Sequence, residues 1–154
     1  MQKVKINAVF FLLILFFVSA CDNRNVFFEY HSIPLEGWHK DSVYVFDIEI
    51  DNVELHYNVF INVRHAPNYP NQNLWLFISE IAPNGTLTKD TIEFFLADHR
   101  GRWLGSGIGA IKEMQVLIKQ DFKFQETGIY RFEIMHGMRT DMLLGITEIG
   151  MQVN

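Results

Sequence analysis

From Val43 onward the chain is written in steps of two. Leu55, Tyr57, Val59, Ile61 and Val63 fall on one side of an extended chain. His56, Asn58, Asn62 and Arg64 fall on the other, with Phe60 the lone apolar member there. Successive side chains of a strand point to opposite faces, so this pattern builds a half-buried sheet and cannot line one stripe of a helix. Tyr44, Phe46, Ile48 and Ile50 alternate in the same way with Val43, Val45, Asp47 and Glu49, and Asp51-Asn52 follows as a turn.

Asn73 to Ile81 (NLWLFISEI) is apolar on both faces, which predicts a central strand buried between two layers. Pro83-Asn84-Gly85 closes it, because Pro sets φ while Asn and Gly accept positive φ. Thr91 to Ala97, Gly128 to Met135 and Ile146 to Val153 read as further strands. Ile111 to Gln120 fits a helix through Ile111, Met114, Leu117 and Ile118, or a strand through Met114, Val116 and Ile118. Phe122 and Phe124 around Lys123 resume the alternation at once, so a strand is expected. Short strands with no long helical period predict an all-β fold, a single antiparallel β-sandwich or jelly-roll-like domain.

The first residues belong to a different regime. Lys3 and Lys5 precede an unbroken apolar run of eleven residues, Ala8 to Val18, and Ser19-Ala20 leads into Cys21, the only cysteine. A charged start, a short apolar stretch and small residues at a cut site make a secretory signal peptide. The run is well short of the roughly 20 apolar residues of a spanning helix. Val18-Ser19-Ala20-Cys21 resembles the lipobox of bacterial lipoproteins, which implies an acylated Cys21 and cleavage just before it. The expected organisation is residues 1–20 as signal, 21–25 as a lipid-anchored spacer and 26–154 as the β-sandwich domain. The mature chain then carries 11 basic and 18 acidic side chains, net −7. That sign argues against nucleic acid or an anionic membrane surface as the main partner, leaving the acyl anchor as the route to the membrane.

The sequence offers little chemistry. Gly105-Ser106-Gly107-Ile108-Gly109 lacks the Lys-Ser or Lys-Thr of a phosphate loop and reads as a turn or bulge where backbones approach closely. None of the six histidines forms an H-x-x-x-H or H-E-x-x-H pair, so neither a metal nor another cofactor is expected. There is no G-x-S-x-G elbow, and acylation would consume the one thiol. Glu93 and Asp98 could oppose one another as in glycoside hydrolysis, but chance pairing explains them as well. Asp98 to Gly105 (DHRGRWLG) is more distinctive, with Arg100 and Arg102 flanking Gly101 and leading to Trp103. Arg and Trp are enriched at binding hot spots. The plainer reading has Trp103 plugging a sheet corner while the arginines solvate the turn.

These residues also carry a family resemblance. Tyr69-Pro70-Asn71-Gln72-Asn73-Leu74-Trp75-Leu76-Phe77, Asp90-Thr91-Ile92 and Leu96 to Gly107 resemble the GldH lipoproteins of Bacteroidetes. Gly128 to Phe132, Met138-Arg139 and Gly145 to Gly150 continue the match in order. The resemblance implies a non-enzymatic envelope lipoprotein accessory to gliding motility and to the type IX secretion tied to it. It implies no catalytic residues. It favours the outer membrane, even though Asp22 after the acyl-Cys means inner-membrane retention in some enteric bacteria. The phylum also O-glycosylates Asp-Ser/Thr sites of the kind at Asp41-Ser42-Val43 and Asp90-Thr91-Ile92. Docking of other envelope proteins is the expected function, with Tyr69, Trp75, Arg100, Arg102 and Trp103 as contact candidates. The alternative is a glycan- or peptidoglycan-binding module that stacks sugars on Trp38, Trp75, Trp103 and Tyr69.

Overall fold

In the computed structural model of the chain, residues 25–107 and 109–154 are described. The signal segment and Cys21 lie outside those residues. The described chain forms ten strands: β1 (Phe27–Ser32), β2 (Trp38–His39), β3 (Tyr44–Ile50), β4 (Tyr57–His65), β5 (Asn73–Ile81), β6 (Leu87–Phe95), β7 (Lys112–Phe122), β8 (Gly128–His136), β9 (Met142–Leu143) and β10 (Ile146–Val153). They pair antiparallel into two four-stranded sheets, ordered β1-β10-β4-β7 and β3-β8-β5-β6, with β2-β9 as a small third ladder.

The alternation decides which side chains meet between the sheets. Val59, Ile61 and Val63 of β4 and Ile149, Met151 and Val153 of β10 face the core from the first sheet. Phe46, Ile48 and Ile50 of β3, Leu74 and Leu76 of β5 and Phe132 and Ile134 of β8 face it from the second. All belong to one buried cluster, and each such side chain contributes about 1.5–3 kcal/mol of apolar burial. Trp38 is wholly enclosed, its indole N–H donating to Ser42 O at 3.0 Å. The sandwich expectation holds.

Two expectations need correction. β5 is central in its sheet, as expected, but only one of its faces is buried. Leu74, Leu76 and Ile78 point inward, whereas Trp75 and Phe77 stand on the solvent side. β6 starts at Leu87 rather than Thr91, and Thr88 and Asp90 are exposed on its inward-pointing side. The Ile111–Gln120 segment is the strand β7.

The glycine-rich segment behaves as a close approach. Ser106 exchanges both backbone hydrogen bonds with Glu113, at 3.0 and 2.7 Å. A Cβ on Gly105 would lie 2.5 Å from Glu113 O, so only glycine lets these two backbones meet.

Candidate functional site

The Asp98–Trp103 segment is a short hairpin built around one carboxylate. Asp98 Oδ1 accepts the backbone N–H of Arg100 and of Arg102, both at 2.9 Å, and Oδ2 accepts Arg102 Nε at 2.7 Å. Gly101 turns the chain at φ 76°, and Ala97 bridges back to Trp103. The donors hold the Asp98 carboxyl below its ordinary range, the backbone N–H of Arg102 contributing most. Arg100 and Arg102 are left on the exposed rim of the turn.

Trp103 turns inward from that rim. Its ring lies 4.4 Å from the His65 ring and 6.5 Å from that of Tyr69. Tyr69 is 4% exposed, and its hydroxyl donates to Asn73 O at 2.7 Å. Gly145 makes this corner possible. It sits at φ 85°, and a Cβ there would lie 2.6 Å from Tyr69 Cα, while Ala66 N donates to Gly145 O at 2.7 Å. Burial pushes the Tyr69 phenol up to about 12 and the His65 imidazole below its ordinary value. His65 is therefore neutral, and its Nε2 finds no partner among the described residues. The corner is packing, held by aromatic contact and backbone hydrogen bonds.

Trp75 is placed elsewhere, on the outer face of the second sheet. It is 37% exposed, and Phe77, two residues along the same face, is 45% exposed. Gly137, opposite Trp75, donates its N–H to Trp75 O at 2.7 Å. Because it has no side chain, the Phe77 ring end and the Trp75 Cβ close in on it: a Cβ there would meet Phe77 Cζ at 3.1 Å and Trp75 Cβ at 3.2 Å. Met138 follows, its sulfur accepting Trp75 N–H at 3.4 Å. Together with Asn71, Asn73, Arg139 and Thr140 these residues line an open groove of about 880 Å³. An exposed pair of rings with a thioether, rimmed by an arginine and amides, has the composition of a binding hot spot.

The five contact candidates thus divide. Tyr69 and Trp103 form the buried corner, Arg100 and Arg102 its exposed rim, and Trp75 the groove on another face. Phe77, Met138 and Arg139 were missed as site residues. The i, i+2 spacing of Trp75 and Phe77 is the one signal in the sequence, and it fits burial on both faces of the strand as well as an exposed aromatic face. Among the described residues no three His, Cys, Asp or Glu side chains gather as a metal site would need. Among the described residues no helix is long and apolar enough to cross a membrane.

The geometry defines an antiparallel β-sandwich that carries an aromatic surface groove. The chain belongs to the GldH lipoprotein family, whose model matches residues 25–153. It is 37% identical over 151 residues to the gliding motility lipoprotein GldH homolog of Christiangramia forsetii, covering 93% of this chain and 90% of that one. It is 35% identical over 154 residues to gliding motility lipoprotein GldH of Flavobacterium johnsoniae, covering 96% and 95%. Among solved structures, 87% of the chain is similar to 18% of a family GH115 4-O-methyl-α-glucuronidase, with 12% identity and a TM-score of 0.43. That likeness is too slight to carry an argument. The family is one of lipid-anchored cell-envelope proteins associated with gliding motility, and it is not an enzyme family.

Proposed function

We propose that this lipoprotein is a docking module of the gliding machinery and of the type IX secretion linked to it, and that the Trp75–Phe77 groove receives another envelope protein. In this reading residues 1–20 are removed, acyl chains on Cys21 hold the protein in the outer membrane, and residues 21–25 join anchor to domain. Two acyl chains suffice for stable anchoring where one does not. The tether is short: Asn25 already meets Gln152 at 2.9 Å, and Val26 N donates to Val153 O at 2.8 Å. The four residues from Cys21 to Arg24 span at most roughly 14 Å, so the sandwich stays close to the lipid and its partner is of the same envelope.

The observation that carries the reading is the pair of large aromatic side chains, Trp75 and Phe77, left exposed beside Gly137, Met138 and Arg139. Orphaned aromatic surface on an otherwise well-packed sandwich is what a protein interface needs. The glycan alternative asked for two exposed rings among Trp38, Trp75, Trp103 and Tyr69. Trp38 and Tyr69 are buried and Trp103 is half-buried against the His65 ring at a tilt of 59°, leaving Trp75 alone of the four well exposed.

The test is photo-crosslinking in the living cell from a reactive residue at position 77, with a second at position 100 on the Asp98 hairpin. One defined envelope protein captured from position 77 supports the proposal. Capture from position 100 alone moves the contact to the hairpin rim, and recovery of only abundant porins from both overturns docking.

A further inference from the structure

The two sheets end in unlike edges. β7, at the free edge of the first, is bulged opposite Tyr57 to Phe60, carries Asp121 at φ 50°, and sets Lys112 and Lys119 on its inward side, Lys119 paired with Glu80 of β5. Bulges and lysines are how a sheet edge refuses another strand. β6, at the free edge of the second, pairs with β5 in unbroken register over nine residues and contains no proline.

The outward hydrogen-bonding groups of β6 can be assigned. Ala82 N donates to Thr86 O and Leu96 N to Gln72 O, so in the intervening register the even-numbered residues bond to β5. Leu87, Lys89, Thr91, Glu93 and Phe95 therefore turn N–H and C=O away from the sheet, with side chains on the outer face that carries Trp75 and Phe77. Thr91 N–H accordingly finds no strand and donates to Asp90 Oδ1 at 2.7 Å.

These five residues read as their own complement. We propose that two copies of the chain associate through β6, antiparallel about a two-fold axis at Thr91. Leu87 then faces Phe95 of the second copy, Lys89 faces Glu93, and Thr91 faces Thr91. Every pair has outward backbone groups on both members, as a hydrogen-bonded antiparallel pair requires. Apolar, opposite-charge and Thr–Thr pairs are the favourable cross-strand combinations. Neighbouring registers lose this. Centring on Lys89 or Glu93 sets like charge on like, and the intermediate registers oppose Leu87 to Glu93 or Lys89 to Phe95. Pairing displaces Asp90 from Thr91 N–H, and that exposed carboxylate returns to water. The result is an isologous dimer with one continuous eight-stranded sheet. Its axis runs through the sheet, so both Trp75 grooves lie on the same face, and a partner with two epitopes gains by avidity. The proposal goes beyond the docking reading and survives its failure, since it needs only β6.

The test uses the full-length lipoprotein in its membrane. Thr91→Cys should crosslink to a dimer under mild oxidation, because a hydrogen-bonded pair holds its Cα atoms about 5.5 Å apart. Thr88→Cys should not, since its own copy lies six positions away, roughly 20 Å. The unsubstituted chain controls for Cys21. In the Thr91→Cys background, Lys89→Glu should weaken association about tenfold or more, and adding Glu93→Lys should restore it. Crosslinking at position 91 no greater than at position 88 overturns the proposal. So does crosslinking at position 91 that ignores both charge changes.

Discussion

Two aromatic clusters, Tyr69–Trp103–His65 and Trp75–Phe77, arise from neighbouring stretches of chain and end in opposite environments. The first is closed from three directions: the Asp98 hairpin folds Trp103 inward, Asn73 O takes the Tyr69 hydroxyl, and Gly145 lets a distant loop press on the Tyr69 backbone. The second has a floor, Gly137, but no cover. The same residue types therefore carry stability in one place and are available for recognition in the other. What separates them is whether another segment of this chain supplies the partner surface.

That contrast can be broken from either side. Trp103→Ala should cost about 2–3 kcal/mol, somewhat less than a fully buried tryptophan because Trp103 is only partly buried. Urea unfolding measures it, and a loss below about 0.5 kcal/mol would mean that the corner is not structural. Tyr69→Phe keeps the ring but orphans Asn73 O, for an expected loss of about 1 kcal/mol by the same measurement.

The corner should also be sensitive to acid. Burial lowers the His65 and His136 imidazoles below their ordinary value of 6.5. Below that value the unfolded chain takes up protons that the folded chain refuses, so stability is full above it and falls as the pH drops. The urea midpoint should therefore decrease from about pH 7.5 to about pH 5.5. His65→Phe should flatten part of that decrease, and an unchanged slope would remove His65 from the account.

The smallest effect on stability belongs to the groove. Gly137→Ala pushes on the Phe77 ring end and Trp75 Cβ rather than on backbone, so stability should move by no more than about 0.5 kcal/mol. Tilting the two rings should still reduce capture of the docked partner. Wild-type capture with shifted rings would show that their arrangement does not matter.

The sequence announced most of the sheets and little of the site. β3 and β10 run over the residues that alternation marks, because their inward and outward positions differ in polarity, whereas β5 is marked by its apolar run. β1 is silent for the opposite reason: its inward positions include Glu29 and His31 while Phe28 and Tyr30 point out. His31 is accommodated through Val45 O and the Phe46 ring, contacts that local pattern cannot reveal. In β5, two apolar faces told nothing of which one would be covered, since that depends on what the rest of the chain leaves over it. Tyr69 looked like a loop contact because the approach of Gly145 comes from far along the chain.

The central claim is that the Trp75–Phe77 face, and not the Tyr69–Trp103 corner, is where this lipoprotein meets its partner. Its most direct test replaces the chromosomal copy with a Trp75→Ala, Phe77→Ser variant and scores colony spreading in a gliding host, with the level of membrane-bound lipoprotein measured alongside. The account predicts wild-type abundance with spreading lost. Wild-type spreading at wild-type abundance would contradict it.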